Sequence, residues 1–167
     1  MMLNHVLVPL DGSTLAAEAI SHAKNLLPAG GKLTLVAAVE VPEMPIYGYY
    51  PAVSVPDYEH TIADLVPAAK HYLDGVADDL HKEGFQVRVE AQIGEPAETI
   101  IEIARKQQVD AIVISTHGRS GISRWLFGSV TQKVLEAKVC PVFVIPSKEK
   151  PEATKTAHKT EKIAEPV

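Results

Sequence analysis

The sequence predicts an α/β fold, a doubly wound parallel sheet with helices on both faces. Short apolar runs alternate with stretches of helical periodicity in the order β-α-β-α-β-α-β-α-β. One apolar run, 111–115, leads through a loop rich in small residues into a helix that begins near Ser129. This arrangement predicts an anion site, because exposed backbone N–H groups and the positive end of a helix dipole both favour phosphate.

The first half of the chain predicts two strands and two helices. Strand one covers 3–10, and helix one begins at a cap, Ser13 or Thr14, and ends at the Pro-Ala-Gly-Gly segment 28–31. Strand two covers 33–39, and a long helix follows from about residue 58 to 82, which Pro67 should kink or interrupt. The segment 40–57 between them carries four prolines and three tyrosines and predicts a loop that serves as a lid or an interface.

The second half predicts three strands and two helices. Strand three covers 85–90, where polar and apolar residues alternate, and Pro96 lies in the first turn of the next helix. Strand four covers 111–115, helix four runs from Ser129 to about Ala137, and strand five covers 141–145. Ser129 is expected to open helix four through a capping box that ends at Gln132. The domain is expected to span 1–146, and the polar segment 147–167 predicts a flexible tail.

Composition argues against several classes of function. The chain has 167 residues, enough for one domain with a core, and a net charge of −5. This charge gives no general attraction to nucleic acid or to an anionic membrane, and no apolar run approaches the roughly 20 residues that span a bilayer. The single cysteine, Cys140, cannot form an intramolecular disulfide, and the histidines show no metal-ligand spacing. We therefore expect a cytoplasmic protein with no metal site and no nucleic-acid or membrane partner.

Three segments, 6–13, 115–131 and 140–146, resemble the universal stress protein family, and the resemblance covers about residues 2–146. ATP-binding members carry the motif Gly-x2-Gly-x9-Gly-Ser/Thr; Gly118, Gly128 and Ser129 match it, whereas Ser115 replaces its first glycine. Serine adds a Cβ and a hydroxyl that can donate a hydrogen bond, so we expect the site to survive with altered affinity. The resemblance also implies the strand order 3-2-1-4-5 of the adenine nucleotide alpha hydrolase-like fold.

The resemblance implies a nucleotide site at the ends of the strands. Pro9 and Asp11 would line adenine and ribose, and Ala38 would contact adenine through its main chain. His117 would lie beside the ribose or phosphates, and the backbone amides after the loop would hold phosphate, with Arg119 and Arg124 available to neutralise charge. Ordinary explanations stay open: an Asp-Gly turn before a helix cap, a Gly-rich turn, and surface arginines. The site residues are Pro9, Asp11, Ala38, Ser115, His117, Gly118, Arg119, Gly128, Ser129 and Val130.

The function implied is a stress-response regulator that binds ATP or AMP, with or without Mg²⁺, and acts on an unknown protein partner. The family forms homodimers through the edge strand, here 142–145, which is wholly apolar. No general base pairs with a nucleophile in the motifs and no P-loop is present, so any ATP hydrolysis should be slow. Two alternatives remain: an enzyme of the same fold, such as an adenylate-forming synthetase, and an interaction protein that has lost the nucleotide site.

Overall fold

Strands and helices alternate along the chain in the computed structural model, which describes residues 3–41, 55–115 and 128–146. The elements are β1 (His5–Pro9), α1 (Thr14–Leu26), β2 (Lys32–Val39), α2 (Val55–Lys82), β3 (Gln86–Ile93), α3 (Pro96–Gln107), β4 (Ala111–Ser115), α4 (Ser129–Glu136) and β5 (Val142–Ile145). The predicted alternation is confirmed. The segments 147–167 and most of 40–57 lie outside the described residues, so the predicted tail and lid stay predictions.

The sheet has the order β3-β2-β1-β4-β5, and every pair of neighbouring strands is parallel. This confirms the predicted doubly wound fold. β1 pairs with β2 from His5 opposite Lys32 to Pro9 opposite Val36, and it pairs with β4 on its other side. The chain therefore changes direction across the sheet between β1 and β4, and in such folds the ligand crevice lies outside the carboxyl ends of those two strands.

Both faces of the sheet are buried beneath helices. Val6 and Val8 of β1 point to the face covered by α1 and α2, whereas Leu7 points to the face covered by α3 and α4. All three side chains are fully buried. The continuous apolar sequence of β1 follows from this arrangement, because a parallel strand with helices on both sides has no solvent-facing side.

The first helix begins just after Ser13, one of the two caps that the sequence predicts. The Ser13 hydroxyl oxygen accepts a hydrogen bond from the Ala16 N–H at 3.1 Å, so Ser13 is the N-cap. At the start of α3, Pro96 occupies the first turn, and the N-cap is Glu95, whose carboxylate accepts from the Glu98 N–H at 2.8 Å. Proline suits this position because the first N–H groups of a helix have no intrahelical acceptor.

The expected capping box at the start of α4 is wrong. The N-cap is Gly128, with φ −64° and ψ 162°, and no side chain caps the helix. Ser129 is already the first helical residue, so its hydroxyl is one position too late to act as the cap. Gln132 directs its side-chain amide forward to Glu136 at 2.9 Å and not back to the cap.

Pro67 does not interrupt α2, which continues through it. Proline removes one N–H and crowds the carbonyl four residues earlier, that of Ala63. Ala63 and Pro67 are both exposed, so water can donate a hydrogen bond to the Ala63 carbonyl. The helix begins at Val55, earlier than predicted, and between residues 63 and 82, where burial is described, its most buried residues are Leu73, Ala77 and Leu80.

Candidate functional site

Four predicted site residues lie at the carboxyl edge of the sheet. Pro9 ends β1, and the next residue donates its N–H to the Val36 carbonyl at 2.8 Å, which keeps the chain beside β2 up to Asp11. Ala38 lies near the end of β2, and Ser115 ends β4 on the other side of β1. Because the strands are parallel, these ends share one edge of the sheet.

Asp11 forms an Asp-Gly turn before the cap of α1, as the ordinary explanation given above predicts. Its Oδ1 accepts the Ser13 N–H at 2.9 Å, and Gly12 has φ 83°, a value that favours glycine. Asp11 is nonetheless exposed, and a carboxylate has lone pairs for several donors. Burial raises the pKa of Tyr72 on α2, and the negative charge of Asp11 raises it further. The Asp11 carboxylate is therefore oriented by the turn and lies within electrostatic reach of α2.

The start of α4 is held against the end of β4. Thr131 is 2% exposed, and its hydroxyl donates to the Ser115 carbonyl at 3.3 Å. This contact places Gly128, Ser129 and Val130 at the same edge as the end of β1, with Ser129 exposed. The first N–H groups of a helix lack intrahelical acceptors and carry the positive end of the dipole, so this edge suits an anion.

Ser115 has ordinary strand geometry. It is paired with Ile145 of β5, and it is not among the residues with positive φ. A glycine is therefore not required here by the backbone conformation, and the serine adds a Cβ and a hydroxyl beside the chain. This supports the expectation that serine is tolerated at this position.

A second contact, which no sequence motif indicates, joins α3 to α4. The Glu95 carboxylate caps α3 through one oxygen and accepts from Lys133 Nζ through the other at 3.0 Å. Burial acts to raise the pKa of Glu95, but the hydrogen bond from the Glu98 N–H and the Lys133 charge outweigh it, and the pKa lies below its ordinary value. Only the fold brings Glu95 and Lys133 together, so no local pattern could have indicated the pair.

The remaining predicted residues, His117, Gly118, Arg119 and Arg124, lie outside the described residues. Across the three described ranges, no group of three or more His, Cys, Asp or Glu side chains could hold a metal ion. Within those ranges, none of the helices combines the length and the apolar character needed to cross a membrane. An open groove lies away from the carboxyl edge, lined by Leu3, Asn25, Leu26, Leu27, Pro28, Pro141 and Phe143.

Comparison with known proteins gives one consistent family. The family model of the universal stress proteins matches residues 2–146. Universal stress protein MJ0577 of Methanocaldococcus jannaschii is 28% identical over 158 residues, which cover 89% of this chain and 98% of that protein. Its solved structure superposes with a TM-score of 0.75 at 25% identity, covering 90% of this chain and 100% of the other.

Two further solved structures share the fold and contain nucleotides. An Arabidopsis thaliana universal stress protein family protein with AMP bound has a TM-score of 0.59 at 18% identity, over 86% of this chain and 91% of that one. A universal stress protein in complex with cAMP has a TM-score of 0.56 at 22% identity, over 87% of this chain and 98% of that one. Since the family model spans nearly all of the described fold, this chain belongs to the universal stress protein family.

Proposed function

We propose that this protein binds an adenine nucleotide, ATP or AMP, at the carboxyl edge of its sheet. The observation that carries the proposal is the contact between Thr131 and Ser115, which holds the start of α4 beside the ends of β1 and β4. Phosphates would lie against Gly128, Ser129 and Val130, and the base and ribose beside Pro9, Asp11 and Ala38. The AMP and cAMP complexes of proteins with this fold support the choice of ligand.

The proposed role is binding and signalling, with at most slow hydrolysis. The sequence contains no P-loop motif, whose lysine reaches the β- and γ-phosphates. Occupancy of the site would regulate a protein partner in a cytoplasmic stress response, and Mg²⁺ would accompany ATP. ATP turnover far above about 1 per second would contradict this role, because that rate lies in the range of ordinary enzymes.

Calorimetry with ATP, AMP and adenosine, with and without Mg²⁺, tests the site. We expect wild-type protein to bind ATP and Gly128→Val to lose that binding, because a branched side chain would fill the space beside the phosphates. Gly75→Val is the matched control, since Gly75 lies exposed on α2 with no atom within 4 Å of an added Cβ. Circular dichroism checks that both variants fold. The absence of heat from the wild type would overturn the proposal.

We further propose a homodimer through β5. β5 forms one edge of the sheet, and its Phe143 is 38% exposed beside the open groove described above. An apolar edge strand presents unpaired backbone groups to a second strand, so pairing with a second copy would cover both the backbone and the aromatic ring.

Light scattering after size exclusion tests the dimer. Phe143→Glu should convert a dimer into a monomer, because it places a charge in the proposed interface. Ile93→Glu is the matched control, because Ile93 is 51% exposed at the end of β3, the opposite edge strand. A wild-type monomer at micromolar concentration, or equal effects of the two substitutions, would contradict the proposed interface.

A further inference from the structure

A chain of side-chain hydrogen bonds crosses the sheet on the α3 face. His5 Nε2 lies 2.8 Å from Thr34 Oγ1, and the Thr34 hydroxyl donates to Gln107 Oε1 at 2.7 Å. Gln107 Nε2 then donates to Glu90 Oε1 at 2.8 Å. The chain joins β1, β2 and β3 to the last residue of α3, and Thr34 at its centre is fully buried. None of these four residues belongs to the proposed nucleotide site.

Counting the available hydrogens shows which group donates in each hydrogen bond of this network. The single hydroxyl hydrogen of Thr34 is directed to Gln107, so Thr34 can only accept from His5. His5 Nε2 must therefore carry a hydrogen. The far end of the chain agrees, since an ionised carboxylate is an acceptor only and Glu90 accepts from the Gln107 amide. A neutral His5 with its hydrogen on Nε2 satisfies every bond, and acid would add a second proton on Nδ1.

The surroundings of His5 disfavour that second proton. His5 is half-buried, and Lys32 is its neighbour across the β1–β2 pair. Arg88 of β3 lies opposite Thr34. Asp110 is the nearby anion, but its Oδ2 already accepts the backbone N–H groups of Asn4 and His5, at 2.7 and 2.9 Å.

Together these groups lower the pKa of His5. Burial lowers the pKa of His5 most, and the charges of Lys32 and Arg88 lower it further, while Asp110 opposes them incompletely. The folded protein therefore binds this proton more weakly than the unfolded chain, in which histidine titrates near 6.5. Stability that depends on neutral His5 is complete above that value and falls as the pH drops through it towards the folded pKa.

We propose that His5, Thr34, Gln107 and Glu90 form a pH-sensitive lock that fastens the C-terminal end of α3 to the sheet. In neutral solution the lock is closed. In mild acid, the second proton on Nδ1 leaves the Nε2–H bond to Thr34 in place, but it adds a charge at a half-buried position beside Lys32, so conformations in which the end of α3 opens and water reaches His5 become more populated. The end of α3 then opens locally more often than the rest of the fold. This lock does not depend on nucleotide binding.

The test compares wild type with His5→Gln without nucleotide, at about pH 7.5 and about pH 5.5, where histidine titrates and most carboxyl groups do not. Glutamine can place an amide nitrogen where His5 places Nε2, and it does not titrate. The control is His22→Gln, because His22 is exposed on α1. Two quantities are measured: the urea midpoint, and the hydrogen-exchange protection of the last turn of α3, corrected for intrinsic exchange rates.

In wild type and in His22→Gln, we expect acid to lower the urea midpoint and the protection of the last turn of α3. In His5→Gln, we expect at most about half of that acid effect, because the variant lacks the imidazole that takes up the proton. A His5→Gln variant with the full acid effect would overturn the lock. An NMR titration of wild type that places the His5 pKa at or above 6.5 would overturn it as well. That titration also decides the matter if His5→Gln fails to fold.

Discussion

Gly94 provides a sharp test of the packing beside the candidate site. It joins β3 to the N-cap of α3, and its N–H donates to the Val39 carbonyl at 3.1 Å. A Cβ at this position would lie 2.7 Å from Thr99 Oγ1, which is too close for a real contact. Thr99 is only 3% exposed, so its short side chain has little room to move. Gly94→Ala should therefore destabilise the protein although Gly94 is not among the glycines with positive φ.

Two opposing effects set the size of that destabilisation. Overpacking a buried contact costs about 1–3 kcal/mol, while alanine stabilises by about 0.4–1 kcal/mol through the reduced freedom of the unfolded chain. We expect Gly94→Ala to lower the free energy of unfolding by about 0.5–2 kcal/mol. Gly75→Ala should instead raise it by about 0.5–1 kcal/mol, because Gly75 lies inside α2 with open space around it.

Urea unfolding followed by circular dichroism measures both variants. Combining Gly94→Ala with Thr99→Ala removes the crowded oxygen, so a double-mutant cycle should show a coupling of about 1 kcal/mol that relieves the loss. The reasoning is refuted if Gly94→Ala stabilises the protein as much as Gly75→Ala does. It is equally refuted if Gly94→Ala costs the same whether residue 99 is threonine or alanine.

Three further predictions use the same measurements. Ser13→Ala should cost about 1 kcal/mol by removing the cap of α1, and Ser13→Asp should restore most of it; equal stability of all three proteins would contradict the cap. Asp110→Ala should cost about 1–2 kcal/mol at neutral pH, since two backbone N–H groups lose their acceptor. Those two hydrogen bonds lower the pKa of Asp110. The extra stability of wild type over Asp110→Ala should therefore disappear as the pH falls below about 3.9 and through the folded pKa. An acid titration in which this difference in stability persists would contradict the prediction. Thr131→Val should cost about 1 kcal/mol and weaken calorimetric binding of ATP more than that of adenosine, because it frees the start of α4; an equal loss for both ligands would argue against this positioning.

The sequence placed the start of α1 to within one residue. It left Ser13 and Thr14 both open as the cap, and the structure selects Ser13. At α4 two neighbouring residues, Gly128 and Ser129, both suit the cap, and nothing local decides which one leaves the helical conformation; the structure selects glycine. The predicted interruption of α2 at Pro67 is wrong. The free-energy cost of a proline inside a helix depends in part on whether water reaches the carbonyl that loses its hydrogen bond, and that exposure is a property of the fold.

Two of the side-chain contacts described above join distant parts of the chain. Thr34 and Gln107 are 73 residues apart, and Glu95 and Lys133 are 38 apart. The sheet order brings each pair together, so the contacts follow from topology and not from spacing. His5 shows the consequence clearly: it is one of seven histidines in the sequence, and only the registers of β1, β2 and β3 bring Thr34, Lys32 and Arg88 near it.

The two proposals concern opposite ends of β1. At the carboxyl end, β1 leads to α1 on one face and β4 precedes α4 on the other, the arrangement beside which ligands bind in doubly wound folds, and the proposed nucleotide site lies there. At the amino end, Asp110 accepts the backbone N–H of His5, and the His5 chain of hydrogen bonds joins β1 to β2. The proposed nucleotide site and the proposed lock therefore lie at opposite ends of β1. On this basis nucleotide and acid should act independently, and ATP should stabilise wild type and His5→Gln to the same extent.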